Sequence, residues 1–282
     1  MNPMNHFKQR LIFSAIAILY LITLIYYSHY PFVNWLFILT TTAAALISQW
    51  EYYRCISVSH HKPLYIPGLL FGFIYLLMAY WTTQFPQCEG FYLYLPFTLF
   101  LIYGFSVQFL QKEQPINSLA VTSFGLLYVV IPLSMIIPLN YNVNGGSWWL
   151  IFTLSVTKMT DAGAYFIGKW IGRRPLAKTI SPNKTLEGSI GGLFAAVLTG
   201  YAITLIARYF SFDAFENSLY IYFMLAICIG IVAQIGDLGE SLLKRDAGVK
   251  DSNDIPGLGG MLDIVDSLLL TIPLVYFFVR MQ

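Results

Sequence analysis

Long apolar runs, broken at fairly even intervals by short polar stretches, set the pattern of this chain. A bilayer core of about 30 Å takes about 20 mostly apolar residues per helix. On that ruler nine stretches qualify: 11–28, 31–50, 64–84, 91–110, 117–138, 147–171, 189–209, 219–237 and 262–280. The runs are continuous rather than alternating, which excludes the two-residue period of a membrane β-barrel. The predicted architecture is all-α: a polytopic integral membrane protein with about nine transmembrane helices. The first run follows Lys8 and Arg10, as the core of a signal peptide would. It is too long for such a core and no small-residue cleavage site follows, so it reads as a retained span.

Composition agrees. Of 282 residues 57% are hydrophobic and 11% charged, against about 25% charged in an ordinary soluble domain. That excludes a soluble globule, and the apolar content excludes disorder. The formal net charge of +2 identifies no partner, and no nucleic-acid partner is expected. Three widely spaced cysteines, Cys55, Cys88 and Cys228, imply neither a disulfide framework nor a thiolate metal site.

The placement of charge is more telling. With the N-terminus in the cytoplasm, thirteen of the sixteen Lys and Arg residues fall inside, only Arg208 and Arg280 fall outside, and Lys158 lies within a span. This is the positive-inside bias, and it predicts a plasma-membrane (inner-membrane) protein whose N-terminus and reactive loops face the cytoplasm. Two cytoplasmic segments, 172–188 and 237–261, are long, charged and rich in Gly and Pro.

The fourteen acids are uneven too: Asp237, Glu240, Asp246, Asp251, Asp254, Asp263 and Asp266 fall within thirty residues, whereas the first 150 contribute only Glu51, Glu89 and Glu113. Residues 1–150 therefore read as lipid-facing scaffold helices, and 151–282 as the catalytic membrane region. In a helix, Asp237, Glu240, Ser241 and Lys244 share one face. A solvated helix face is the plain alternative, but a carboxylate at the membrane surface is costly without a cation. Asp263 and Asp266, three apart, lead into the last apolar run after the glycine-rich Pro256-Gly-Leu-Gly-Gly. One such acid could simply complement a helix dipole; two are better explained as hard oxygen ligands for Mg²⁺.

Within 172–188, Ser181 followed by Pro182 predicts a helix start. That puts Lys184 in the first turn, where the dipole disfavours a cation unless an anion is bound. With Arg173, Arg174 and Lys178 nearby, the segment reads as a polyphosphate site, an ordinary topogenic loop being the alternative. Lys158 and Asp161, at i and i+3 inside a span, are either a structural ion pair or functional groups. The histidines His6, His29, His60 and His61 have no ligand spacing, and Walker A, GxSxG and HExxH motifs are absent.

Ser241-Leu-Leu-Lys-Arg-Asp-Ala-Gly-Val-Lys-Asp251 and Pro256-Gly-Leu-Gly-Gly-Met-Leu-Asp-Ile-Val-Asp266 together resemble the signature of phosphatidate cytidylyltransferases (CDP-diacylglycerol synthases). Asp161-Ala-Gly-Ala-Tyr-Phe and Ile180-Ser-Pro-Asn-Lys-Thr-Leu-Glu-Gly188 resemble that family's upstream motifs, in order, across about residues 158–270. Leu258 stands where the family often has His, Ile264 where it often has Arg, and the stretch from Asp251 to Pro256 is one residue short of the common form. Roles of that His and Arg do not carry over. The resemblance implies transfer of CMP from CTP to phosphatidic acid with a divalent metal, Mg²⁺ with room for a second cation, in a homodimer. On this reading Asp237 and Asp263 are metal ligands, with Asp266 and Asp161 next. Lys184, Lys178 and Lys244 hold phosphates, and Ser181 and Ser241 hydrogen-bond them. Lys250 and Asp251 belong to the motif on the substrate side without a separate role.

Two rivals remain open at this point. A CTP-dependent lipid-alcohol kinase would move the γ-phosphate instead. A transporter or channel would use Lys158 and Asp161 as a pathway and turn over no CTP.

Overall fold

Leucine, isoleucine, phenylalanine and valine fill runs longer than twenty residues, and in a bilayer such runs must close their backbone hydrogen bonds internally, as helices. The computed structural model describes residues 19–59, 61–111, 115–210, 214–249 and 260–282. Residues 19–26 are helical; the rest of the first expected span, 11–18, lies outside the described residues, as do Lys250, Asp251 and 256–259. Then come α1 (Pro31–Ser57), α2 (Tyr65–Gln84), α3 (Glu89–Gln111), α4 (Pro115–Gly125), α5 (Ile131–Ser134), α6 (Ile136–Tyr141), α7 (Gly146–Ile171), a hairpin of β1 (Pro175–Ala177) and β2 (Ser181–Thr185), α8 (Leu186–Tyr209), α9 (Leu219–Asp246), α10 (Met261–Val265) and α11 (Leu268–Arg280).

Seven described stretches are long and apolar enough to cross a membrane: Pro31–Ser57, Tyr65–Gln84, Gly90–Phe109, Pro115–Tyr141, Leu186–Tyr209, Leu219–Asp246 and Met261–Arg280. The protein is a polytopic, helical membrane protein. The expected count of nine is not reached among the described residues, for two reasons. The first span is described only in part, and α7, a helix of 26 residues, has its apolar character diluted by Lys158, Asp161 and Lys169. Among the described residues the only strands form an antiparallel hairpin, pairing Ala177 with Ser181 and Pro175 with Thr185.

The chain divides into two compact units, residues 1–138 with 246–265, and residues 139–245 with 266–282. In the first unit Phe71, Tyr75, Phe100, Leu119, Leu126 and Val130 form an apolar cluster, and polar anchors join α1 to α2 and α4. Gln49 donates to the Gly68 carbonyl at 2.8 Å and to the Tyr53 hydroxyl at 2.9 Å, and that hydroxyl donates to the Thr122 carbonyl at 3.1 Å. Between α4 and α5 the helix widens to a π-turn over Leu126–Val130, where Ile131 N–H reaches back to Leu126. Pro132 explains the widening, because it has no N–H to offer and its ring would crowd the carbonyl four residues back.

In the second unit α7 and α8 pack along a seam of small residues. A Cβ on Gly163 would stand 2.6 Å from that of Ala195, and one on Gly192 would stand 2.8 Å from the Thr160 carbonyl oxygen. Only glycine permits that approach, the usual device for close helix contact in lipid. An aromatic cluster of Trp149, Phe152, Phe215 and Tyr222 closes one end of the unit.

Candidate functional site

The polar residues of the second unit converge from four elements. Lys158 and Asp161 share a face of α7, their charged atoms 3.6 Å apart. Ser267, immediately before α11 and fully buried, donates its hydroxyl to Asp161 at 3.0 Å and receives a hydrogen bond from Lys158 at 3.3 Å. Its own N–H is held by the Asp266 carboxylate at 2.5 Å. Deeper along the same pair of helices, Thr157 donates to Thr271 at 3.2 Å.

From α9, Asp237 meets Lys184 of β2, Oδ2 to Nζ 2.7 Å. One turn earlier Gln234 is hydrogen-bonded to the Ser189 hydroxyl and donates to the Ser189 carbonyl at 3.1 Å, fixing α9 against the start of α8. Gly236 lets α9 come close to the chain leading into α11: a Cβ there would lie 2.8 Å from the Asp266 carbonyl oxygen. Asp161, Asp237 and Asp266 are thereby near enough for their charges to act on one another, with Lys158 acting on both Asp161 and Asp266.

The 172–188 segment folds differently from the sequence expectation. No helix begins at Ser181. Ser181–Thr185 is a strand, and α8 starts at Leu186 with Thr185 as its N-cap, whose hydroxyl accepts the Gly188 N–H at 3.1 Å. Pairing with Pro175–Ala177 holds Ser181 and Pro182 extended, and Glu187 stabilises the junction by accepting the N–H groups of Arg173 and Arg174 at 3.0 and 3.2 Å. Lys184 is therefore not a cation misplaced in a first helical turn. Its charge is met by Asp237. Lys178 lies exposed in the hairpin turn, and Ser181 is half-buried on β2. Arg245 donates to the Ile180 carbonyl at 3.2 Å, tying that turn to the end of α9.

The helical face predicted for 237–244 is present in α9. Within it Lys244 pairs with the buried Glu240 at 2.7 Å, and Ser241 is half-buried alongside. In the first unit, Asp263 sits in the first turn of α10 and accepts the Gly260 N–H at 3.2 Å. Glu51 of α1, fully buried, accepts the Leu262 N–H at 2.7 Å.

Comparison with known proteins places the chain in a family. The cytidylyltransferase family model matches residues 8–282. The chain is 32% identical to a phosphatidate cytidylyltransferase of Chlamydia pneumoniae, over 96% of this chain and 91% of that one. It is 32% identical to one from Synechocystis, over 87% and 89% of the two chains, and 28% identical to one from Bacillus subtilis, over 96% of each. The chain belongs to the phosphatidate cytidylyltransferase family.

As a member of that family it is a nucleotidyltransferase, and the match reaches through the N-terminal helices where no sequence motif stood out. Among the described residues no three His, Cys, Asp or Glu side chains are grouped to hold a metal ion. The donor chemistry nevertheless suits Mg²⁺, which is commonly held by one or two carboxylates together with substrate phosphates. The acid groups of Asp161, Asp237 and Asp266 with the Ser267 hydroxyl are hard oxygen donors, and Asp237 already has a cation, Lys184, at its carboxylate.

Two residues escaped the sequence reading. Ser267 carried no motif signal, although its place next to Asp266 at the head of an apolar run was a hint. Glu51 is one of three acids in the first 150 residues, one position beyond the predicted span 31–50 and, in the structure, inside α1. An ionisable residue inside a span is a reason to look for its partner.

Proposed function

We propose that this protein transfers CMP from CTP to phosphatidic acid, giving CDP-diacylglycerol and pyrophosphate for phospholipid synthesis. The observation that carries the reading is the full-length family match, joined to an acid–lysine cluster built from all the motif-bearing elements of the second unit. A phosphate oxygen of phosphatidic acid attacks the α-phosphorus of CTP, the bond from that phosphorus to the oxygen bridging to the β-phosphate breaks, and pyrophosphate leaves. Two polyanions must meet, so the protein's task is positioning and charge neutralisation.

Lys184, Lys178 and Lys244 hold phosphate oxygens, and Ser181 and Ser241 donate hydroxyl hydrogen bonds to them. Asp237 and Asp263 are the carboxylates assigned to the metal, with Asp266 and Asp161 next; Asp161 also faces substrate. Bound Mg²⁺, with or without a second cation, supplies neutralisation of the reacting phosphates. Lys250 and Asp251 are substrate-side members of the signature. Residues 1–150 serve as membrane scaffold and 151–282 carry the chemistry. The chain crosses the membrane nine times with its N-terminus and active site in the cytoplasm, supported by the bias of Lys and Arg. It works in a bacterial plasma membrane as a homodimer and engages no nucleic acid.

The test follows the label. Purified protein given phosphatidic acid, Mg²⁺ and CTP labelled at the α-phosphate transfers label to lipid, and CTP labelled at the γ-phosphate does not. The reverse result would identify a lipid kinase, and no CTP turnover at all would favour transport through the Lys158–Asp161 region.

A further inference from the structure

The short helix α10 carries Asp263, yet at five residues it is too brief to satisfy its own N-terminal amides, the first four of which have no partner within any helix. Two acceptors meet the need. One is local: Asp263 reaches back to the Gly260 N–H, the reciprocal half of a capping box. The other comes from 211 residues away, where Glu51 on α1 accepts the Leu262 N–H at 2.7 Å. Glu51 is fully buried and lies within the same compact unit as α10. A carboxylate is a strong acceptor for an amide, and a buried one holds its partner more firmly than a solvated one. Between them the two bonds fix the backbone on either side of Met261, at Gly260 and at Leu262, the residue before Asp263.

We infer that Glu51 is a positioning residue for the reaction: its carboxylate anchors the Leu262 amide and so sets where the Asp263 side chain stands. This deepens the proposed function and rests on the reading of Asp263 as a metal ligand. An acceptor oxygen at the reach of the Glu51 carboxylate is what the role requires. Glu51 therefore does for the last signature segment what a second ring of hydrogen bonds does around a metal ligand, orienting it without touching the metal.

Three variants separate the possibilities in the purified full-length protein. E51Q keeps an acceptor oxygen at the same reach, E51M removes it, and E51D retains the charge but withdraws the acceptor by one methylene. Two readouts are taken: amide hydrogen exchange across residues 260–265, and turnover against Mg²⁺ concentration at saturating CTP. E51M and E51D should speed exchange in that segment, lower kcat by about tenfold or more, the scale of one lost charge-assisted hydrogen bond, and raise the Mg²⁺ concentration for half-maximal turnover. E51Q should restore both within about threefold. Should E51M not fold, the comparison of E51D with E51Q stands alone. Unchanged exchange in the acceptor-deficient variants overturns the anchor. Faster exchange with wild-type kcat and Mg²⁺ dependence reduces Glu51 to a structural role and overturns positioning, as does an E51Q as impaired as E51M. D263N run in parallel tells the two readings apart: full turnover there removes Asp263 from the site and positioning with it, while the exchange data still decide the anchor.

Discussion

Lys184 on strand β2 and Asp237 on helix α9 stand 2.7 Å apart, joining the hairpin to the helix whose one face carries Asp237, Glu240, Ser241 and Lys244. The pair is about a third exposed, 26% and 35% for the two side chains. Such a contact contributes little to stability, typically under about 1 kcal/mol. On the proposed function its value is placement, a lysine assigned to the nucleotide's phosphates set beside a carboxylate assigned to the metal. Lys184→Met should therefore lower kcat/KM for CTP by about tenfold or more while leaving the melting temperature within a degree or two. Kinetics at varied CTP with a thermal melt checks this; an unchanged kcat/KM would return the lysine to a topogenic role.

Asp263→Asn preserves volume and can still accept the Gly260 N–H through its amide oxygen. The prediction is a folded protein with turnover reduced by at least about a hundredfold, the order seen when a preorganised electrostatic group is removed. Size-exclusion profile and turnover together decide it, and wild-type activity would exclude Asp263 from the site.

Ser267 links Lys158 to Asp161 through one buried hydroxyl. Ser267→Ala removes one buried hydrogen bond from each charged group, at a cost of about 1–3 kcal/mol. The variant should melt several degrees lower and turn over about tenfold more slowly. Equal stability and rate would show that the bridge is dispensable.

Thr185 and Ser181 offer a direct check on where α8 begins. Thr185→Ala removes the cap on Gly188 and should cost about 1 kcal/mol, whereas Ser181→Ala should leave helix stability unchanged because Ser181 is in a strand. Thermal melts of the two variants give the comparison, and the reverse order would restore the earlier start.

Much of this was legible in the sequence because lipid imposes a simple rule: an apolar run of span length is a helix. The face shared by Asp237, Glu240, Ser241 and Lys244 followed from helical periodicity alone. The start of α8 did not, because Ser181-Pro182 and Thr185 are both good helix openers, and the choice is made by strand pairing with Pro175–Ala177, a tertiary fact. Periodicity likewise cannot foretell that Lys244 turns to the buried Glu240, or that Glu51 caps a helix 211 residues on. Those contacts depend on which helices become neighbours.

The account stands or falls on Asp237 at the centre of CMP transfer. The decisive measurement is the paired yield of pyrophosphate and CDP-diacylglycerol by purified wild-type and Asp237→Asn protein in bilayer discs containing phosphatidic acid, with CTP and Mg²⁺. Wild-type should release the two products in equal amounts and the folded variant neither. A variant producing both at the wild-type rate would contradict it.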